Sequence, residues 1–147
     1  MKIAIGSDHG GLNLKNDVIE FLKKEGHDVC DYGTYTTDSC DYPDFGFKVA
    51  IGVSNKEFER GIVICTTGIG MSIVANKVKG IRCALLTDVE SARLTREHND
   101  SNVLALGAKN VTKELALEIT KIWLETEFTA GRHLNRVNKI TSYEEGK

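Results

Sequence analysis

A cysteine stands where an apolar run breaks into a glycine-rich loop, in the segment Gly61-Ile62-Val63-Ile64-Cys65-Thr66-Thr67-Gly68-Ile69-Gly70-Met71-Ser72. The run Ile62–Ile64 ends on the Cys65 thiol. Two glycines and three hydroxyl side chains follow, the last of them Ser72, where Ser72-Ile73-Val74-Ala75-Asn76-Lys77 opens a helical pattern. Strand, thiol, small-residue turn and helix together set a nucleophile or base beside backbone amides that can hold an anion. A helix N-terminus also favours the thiolate through its dipole and free N–H groups. A strand-end cysteine is otherwise most often a small buried hydrophobe, so the loop is what gives this one a chemical reading. Met71 stands six positions after Cys65, where a cysteine phosphatase needs an arginine to clamp its phosphoryl group. Covalent phosphatase chemistry is therefore not expected.

Gly68-x-Gly70, with Asp88 20 residues after Gly68, also matches part of a dinucleotide fingerprint. Ile73 replaces its third glycine, and the loop follows the third strand rather than the first, so this match is weak. Asp8-His9 follows the first strand between small residues, as a helix cap with a surface histidine or as part of a site. His98-Asn99-Asp100 ends another helical stretch, where a histidine can simply meet the helix C-terminus. Arg132 and Arg136 are four apart and share a helix face. Near a helix start their charges oppose the dipole by roughly 0.3–1 kcal/mol, a conflict that a bound phosphate removes. His9, His98 and His133 lack metal-ligand spacing, and no metal or other cofactor is expected.

The elements that must position these groups alternate along the chain. Apolar runs at Lys2–Gly6, His27–Tyr32, Gly61–Cys65, Ile81–Leu86 and Val103–Leu106 read as strands. Between them lie helical patterns: one with Leu14, Val18, Ile19 and Leu22 on a face and Gly26 as its C-cap, one from Pro43 to about Asn55, a short one after the loop, and one over Asp88–His98. Val111–Glu125 follows the last strand, and Gly131–Ile140 reads as a final helix that could pack on a neighbouring subunit. The fold expected is α/β: a three-layer αβα Rossmann-like sandwich with a five-stranded parallel sheet and a C-terminal helix reaching a partner. Ligands of such sheets sit beyond the strand carboxyl ends, where Asp8, Cys65 to Ser72 and Asp88 fall.

With 147 residues and no linker or repeat, residues 1–147 are expected to form a single domain. A net charge of -2 gives no basic surface for nucleic acid or an anionic membrane. No apolar run approaches the roughly 20 residues of a membrane helix, and the N-terminus is too quickly interrupted for a signal peptide. Cys30, Cys40, Cys65 and Cys83 show no CxxC spacing, which suits reduced thiols in the cytoplasm.

The chain resembles the type B ribose-5-phosphate isomerases, within a wider family that includes allose-6-phosphate and galactose-6-phosphate isomerases. The likeness spans essentially the whole chain and rests on Ser7-Asp8-His9-Gly10-Gly11, Asp41-Tyr42-Pro43, Gly61 to Ser72, Ala75-Asn76-Lys77, Gly80-Ile81-Arg82, Arg96 to Asp100, Asn102-Val103-Leu104, and Gly131-Arg132-His133 with Arg136-Val137. It implies an aldose–ketose isomerase acting on a sugar phosphate. Cys65 would be the base between C1 and C2, and the amides of Thr66, Thr67, Gly68, Ile69 and Gly70, with Asn99, would hold the enediolate oxygens. Thr67 would assist proton movement and His98 would open the ring. Asp8 and Tyr42 would meet the sugar, and His9 with a partner subunit's Arg132 and Arg136 would bind phosphate. The resemblance also implies a homodimer or homotetramer with shared active sites. Thr66 stands where many members carry glycine, and Lys109 where many carry a phosphate-binding arginine. A six-carbon sugar phosphate is the alternative substrate, and a flavodoxin-like nucleotide-binding module the alternative outside enzymes.

Overall fold

Branched and aliphatic residues build five strands that pair, all in parallel, in the order β2-β1-β3-β5-β4. They are β1 (Lys2–Ser7), β2 (Asp28–Asp31), β3 (Arg60–Cys65), β4 (Cys83–Leu85) and β5 (Val103–Gly107). The structure, a computed structural model, describes all 147 residues. Six helices flank the sheet: α1 (Leu12–Lys24), α2 (Tyr42–Ser54), α3 (Ile69–Asn76), α4 (Val89–Asn99), α5 (Lys113–Glu125) and α6 (Arg132–Glu144). The Rossmann-like αβα architecture is therefore the one expected. No helix is long and apolar enough to cross a membrane.

Side chains alternate across the pleat, so each strand supplies both faces. Ile3, Ile5, Ile62, Ile64, Leu104 and Leu106 pack with α1, α4 and α5, where Val18, Leu22, Ile119 and Trp123 are fully buried. Ala4, Val63, Cys65, Val103 and Ala105 face α2 and α3 across a layer of smaller side chains. Each large aliphatic side chain so buried contributes about 1.5–3 kcal/mol. At Gly61 a Cβ atom would come within 2.7 Å of Val49, so glycine there admits α2 to the sheet.

The order of the strands determines where a crevice opens. The chain leaves β1 into α1 on one face and leaves β3 into α3 on the other, although β1 and β3 are neighbours. Loops that diverge from adjacent strands leave room between them at the carboxyl edge. Asp8 and the Thr66–Gly68 loop border that room.

Several boundaries differ from the sequence expectation. α3 starts at Ile69, three residues before Ser72, because the loop closes on Gly68 in a left-handed conformation with φ 77°. Ile69 and Gly70 are therefore its first turn. β2 and β4 are shorter than their apolar runs, as the two edge strands each find a partner on one side only. β5 lies between β3 and β4, an insertion that periodicity does not reveal. α6 runs on to Glu144 and packs beside α4 of its own chain. Val137 is its one buried residue, and the Glu144 carboxylate accepts the Gly80 N–H at 2.9 Å.

Candidate active site

β3 delivers Cys65 to the carboxyl edge of the sheet with 5% of its surface exposed. Beyond it the loop carbonyls turn toward the chain after β5. Cys65 O accepts the Ala108 N–H and Thr66 O the Lys109 N–H, each at 2.9 Å. A Cβ atom at Gly107 would collide with the Thr67 carbonyl, so this close passage needs glycine. Two amides at the helix start are taken locally, Ile69 N–H by Thr67 Oγ1 at 3.3 Å and Ser72 N–H by Gly68 O at 3.0 Å. The N–H groups of Thr66, Thr67 and Gly68 have no partner within the chain. Unpaired amides at a helix entrance attract an anion.

A groove of about 450 Å³ lies over the thiol, lined by Asp8, Tyr42, Cys65, Thr66, Thr67, Ile69, Gly70 and Ile73. Asp8 caps a turn and also lines the groove. Its Oδ1 accepts the Gly11 N–H at 3.0 Å, capping a short 3-10 turn at His9–Gly11, while Oδ2 remains unpaired in a carboxylate that lines the groove. Tyr42, the first residue of α2, lays its ring against Gly70, where a Cβ atom would stand 2.8 Å away. The Thr66 side chain sits over Gly10, which has no Cβ to obstruct it.

His9 is exposed beside the groove, and its Nδ1 accepts the Cys40 N–H at 3.2 Å. That bond leaves Nε2 as the proton-bearing nitrogen of the neutral ring, free to donate to an anion. The second half of the expected site stands apart. His98 and Asn99 end α4, Arg132 and Arg136 occupy the first two turns of α6, and none of the four lines the groove. Arg132 and Arg136 are exposed and have no carboxylate partner. Asn99 instead borders a cleft of about 680 Å³ between the end of α3, β4 and α6.

The α4 terminus is firmly held. Arg82 Nε donates to the Asn99 carbonyl at 2.9 Å, and Asp100 ends the helix in a left-handed conformation with φ 48°. Two residues outside the expected set belong to these groups. His133 stacks on His98, and Ile73 walls the groove. Helical spacing from Ile69 is the one sequence signal for Ile73; the neighbours of α6 are not legible in periodicity. Burial first, then the charges of His98, Arg132 and Arg136, push the His133 pKa below its ordinary value.

No three His, Cys, Asp or Glu side chains converge as a metal-binding set. Asp88 caps α4, accepting the Ser91 N–H at 2.7 Å, so the acid of the partial dinucleotide fingerprint is committed to the fold. The thiol, free amides and carboxylate of the groove suit proton transfer beside a carbonyl, in which an oxyanion develops.

Comparisons with known proteins bear on the family of the chain. The solved structure of ribose-5-phosphate isomerase B from Clostridium thermocellum matches with a TM-score of 0.98 and 57% identity over 99% of each chain. The Mycoplasma genitalium ribose-5-phosphate isomerase B, solved with bound ribulose-5-phosphate, matches with a TM-score of 0.95 and 42% identity, covering 99% of this chain and 97% of that one. Ribose-5-phosphate isomerase B of Escherichia coli is 44% identical over 144 residues, 98% of this chain and 97% of the relative. Residues 3–140 match the Ribose/Galactose Isomerase family model, and with these relatives they establish that the chain belongs to the ribose/galactose isomerase family.

Proposed function

We propose that the protein interconverts ribose 5-phosphate and ribulose 5-phosphate in the cytoplasm, with Cys65 as the base and residues 1–147 as one catalytic domain. The observation that carries this reading is a nearly buried thiol that lines one groove with Thr66 and Thr67, at the start of a loop whose Thr66, Thr67 and Gly68 N–H groups have no partner within the chain. In the proposed step the Cys65 thiolate takes the C2 proton of the open-chain aldose. The C–H electron pair becomes the C1–C2 double bond, and the carbonyl π pair moves onto O1. The loop amides and Asn99 stabilise the enediolate oxygens, which is where preorganised donors lower a barrier most. Thr67 passes the hydroxyl proton from O2 toward O1, and the thiol returns its proton to C1. His98 opens the furanose ring, while Asp8 and Tyr42 hold the sugar hydroxyls.

The phosphate is read as bound by His9, through its Nε2–H, with Arg132 and Arg136. Since His98, Asn99 and the two arginines lie away from the groove of their own chain, a partner subunit supplies them in this proposal. Exposed apolar side chains on the two helices that border the groove support a partner there. Ile69 and Ile73 on α3 are 52% and 56% exposed, and Phe47 and Ile51 on α2 are 39% and 48%. Binding energy from the remote phosphate then positions the reacting carbons.

The test is turnover measured side by side with ribose 5-phosphate and allose 6-phosphate, with Cys65→Ala as the blank. A kcat/KM higher for the five-carbon sugar is expected. Preference for the six-carbon sugar would replace the substrate assignment, and turnover of neither would overturn the isomerase reading.

A further inference from the structure

At the amino end of the sheet, remote from Cys65, a cleft of about 560 Å³ gathers Lys2, Lys56, Arg60, Arg82 and Arg96. Its carboxylates are Glu57, Glu59 and Asp100, so five cations meet three anions. Asp100 serves two of the guanidinium groups, with Arg96 Nη1 at 2.8 Å and Arg82 Nη2 at 3.5 Å. Arg82, through Nε and Nη2, and Arg96, through Nε and Nη1, also donate to backbone carbonyls of Asn99, Asp100, Ser101 and Thr126. Arg60 is different. Its Nη1 donates to Trp123 O at 3.2 Å and its guanidinium lies 5.1 Å from the Trp123 ring centre, yet no carboxylate comes within ion-pair distance. Nε and Nη2 make no bond within the chain and are not sealed from solvent, and the Arg60 side chain lines the cleft. Burial, followed by repulsion from Arg96, lowers the Arg60 pKa to about 10.

We propose that this cleft is a second anion site that takes a small oxyanion of the phosphate class, separate from the groove at Cys65. The unpaired edge of a guanidinium presents two parallel N–H donors that fit two oxygens of a tetrahedral anion, and its planar face is already immobilised on Trp123. The charge excess equals that of a dianion. Arg60 and Cys65 are the two ends of β3, about 16 Å apart at 3.3 Å per residue, so one anion cannot occupy both places. The cleft also has a route to the chemistry. Arg82, which lines it, holds the Asn99 carbonyl, so an anion drawing on Arg82 shifts the α4 terminus that carries His98 and Asn99.

The experiment is a backbone amide NMR titration of the full-length protein with inorganic phosphate, at ionic strength held constant with sodium chloride. Two saturable sets of shifts are expected, one around Arg60, Arg82 and Asn102 and one around His9, Arg132 and Arg136. Arg60→Gln should weaken the first midpoint at least tenfold while leaving the second midpoint and phosphate-free turnover unchanged. If that variant does not fold, Lys56→Asn, at an exposed position with φ 65° that asparagine tolerates, should weaken the first set severalfold. A parallel titration with glycerol 3-phosphate distinguishes free phosphate from a phosphorylated metabolite by which midpoint is lower. Absence of the first set, or shifts that do not saturate and persist unchanged in both variants, would overturn the proposal.

Discussion

The imidazole rings of His98 and His133 stack with centroids 4.2 Å apart and planes 14° from parallel. The contact joins the end of α4 to the start of α6, so it orients the proposed ring-opening histidine from a helix the sheet does not otherwise position. Two imidazolium ions cannot share this stack at low cost, and Arg132 and Arg136 add to the repulsion. His133 should therefore titrate below 6.5, as followed by its ring proton resonance. Replacing His98 by Ala should move that midpoint upward without restoring it fully, because burial is the larger cause. The sign for stability follows. The unfolded chain binds more protons at this position than the folded one, so stability is retained above about pH 6.5 and falls as pH drops through 6.5 toward the folded midpoint. A midpoint at or above 6.5 would remove this account of the stack.

Cys65→Ala should abolish turnover by about 10²–10⁴-fold, the range that a positioned general base supplies. Phosphate-dependent binding should survive, since no proposed phosphate ligand touches the thiol. Thermal stability should drop by only about 1 kcal/mol, as the loss is one small buried group. Isotope exchange at C2 monitored by NMR gives the sharper readout, and exchange at the wild-type rate in the variant would show that another group is the base.

Much of this arrangement was legible in the residues because its signals are local. Ile62–Ile64 before Cys65, and Gly68 with Gly70 after it, mark a strand, a turn and a helix entrance irrespective of what surrounds them. Asp8 was legible as a cap and as a groove residue, and it is both. What depends on distant pairing was hidden. The insertion of β5 beside β3 follows from which hydrophobic faces meet, and the His98–His133 stack from where α6 docks. The start of α3 at Ile69 was missed because Gly68, read as a loop residue, closes the turn through its left-handed φ. The separation of His98 and Asn99 from the Cys65 groove is likewise invisible in spacing, which carries no information about which copy of a chain supplies a side chain; for Arg132 and Arg136 the family resemblance, and not their spacing, implies a partner subunit.

Gly70→Ala tests the contact that shapes the sugar end of the groove. The new Cβ would stand 2.8 Å from the Tyr42 ring, so the ring must move out of its place. A rise in KM with a modest loss of kcat is expected, together worth about 1–2 kcal/mol in kcat/KM. The cost should vanish when Gly70→Ala is made in a Tyr42→Ala background, because no ring remains to be displaced. Additive losses in the double-mutant cycle would place the harm in the helix entrance rather than in Tyr42.

Sharing of sites between subunits is tested by mixing two inactive proteins. In an isologous pair, Cys65→Ala spoils the groove of its own chain and Arg136→Ala the clamp its chain lends to the other. A heterodimer of the two variants then holds one site with both defects and one with neither. Random exchange makes half of the dimers mixed, so a one-to-one mixture should recover about a quarter of wild-type activity after refolding together. Sites built from a single chain give a different result, since every groove would then carry one defect whichever partner it meets. Recovery that grows with the rate of subunit exchange therefore ties Arg136 to the partner's Cys65. A mixture as inactive as its parents, in material shown by mass spectrometry to contain the mixed dimer, would return Arg136 to its own chain's groove. It would also require α6 to move away from α4 before substrate could bind.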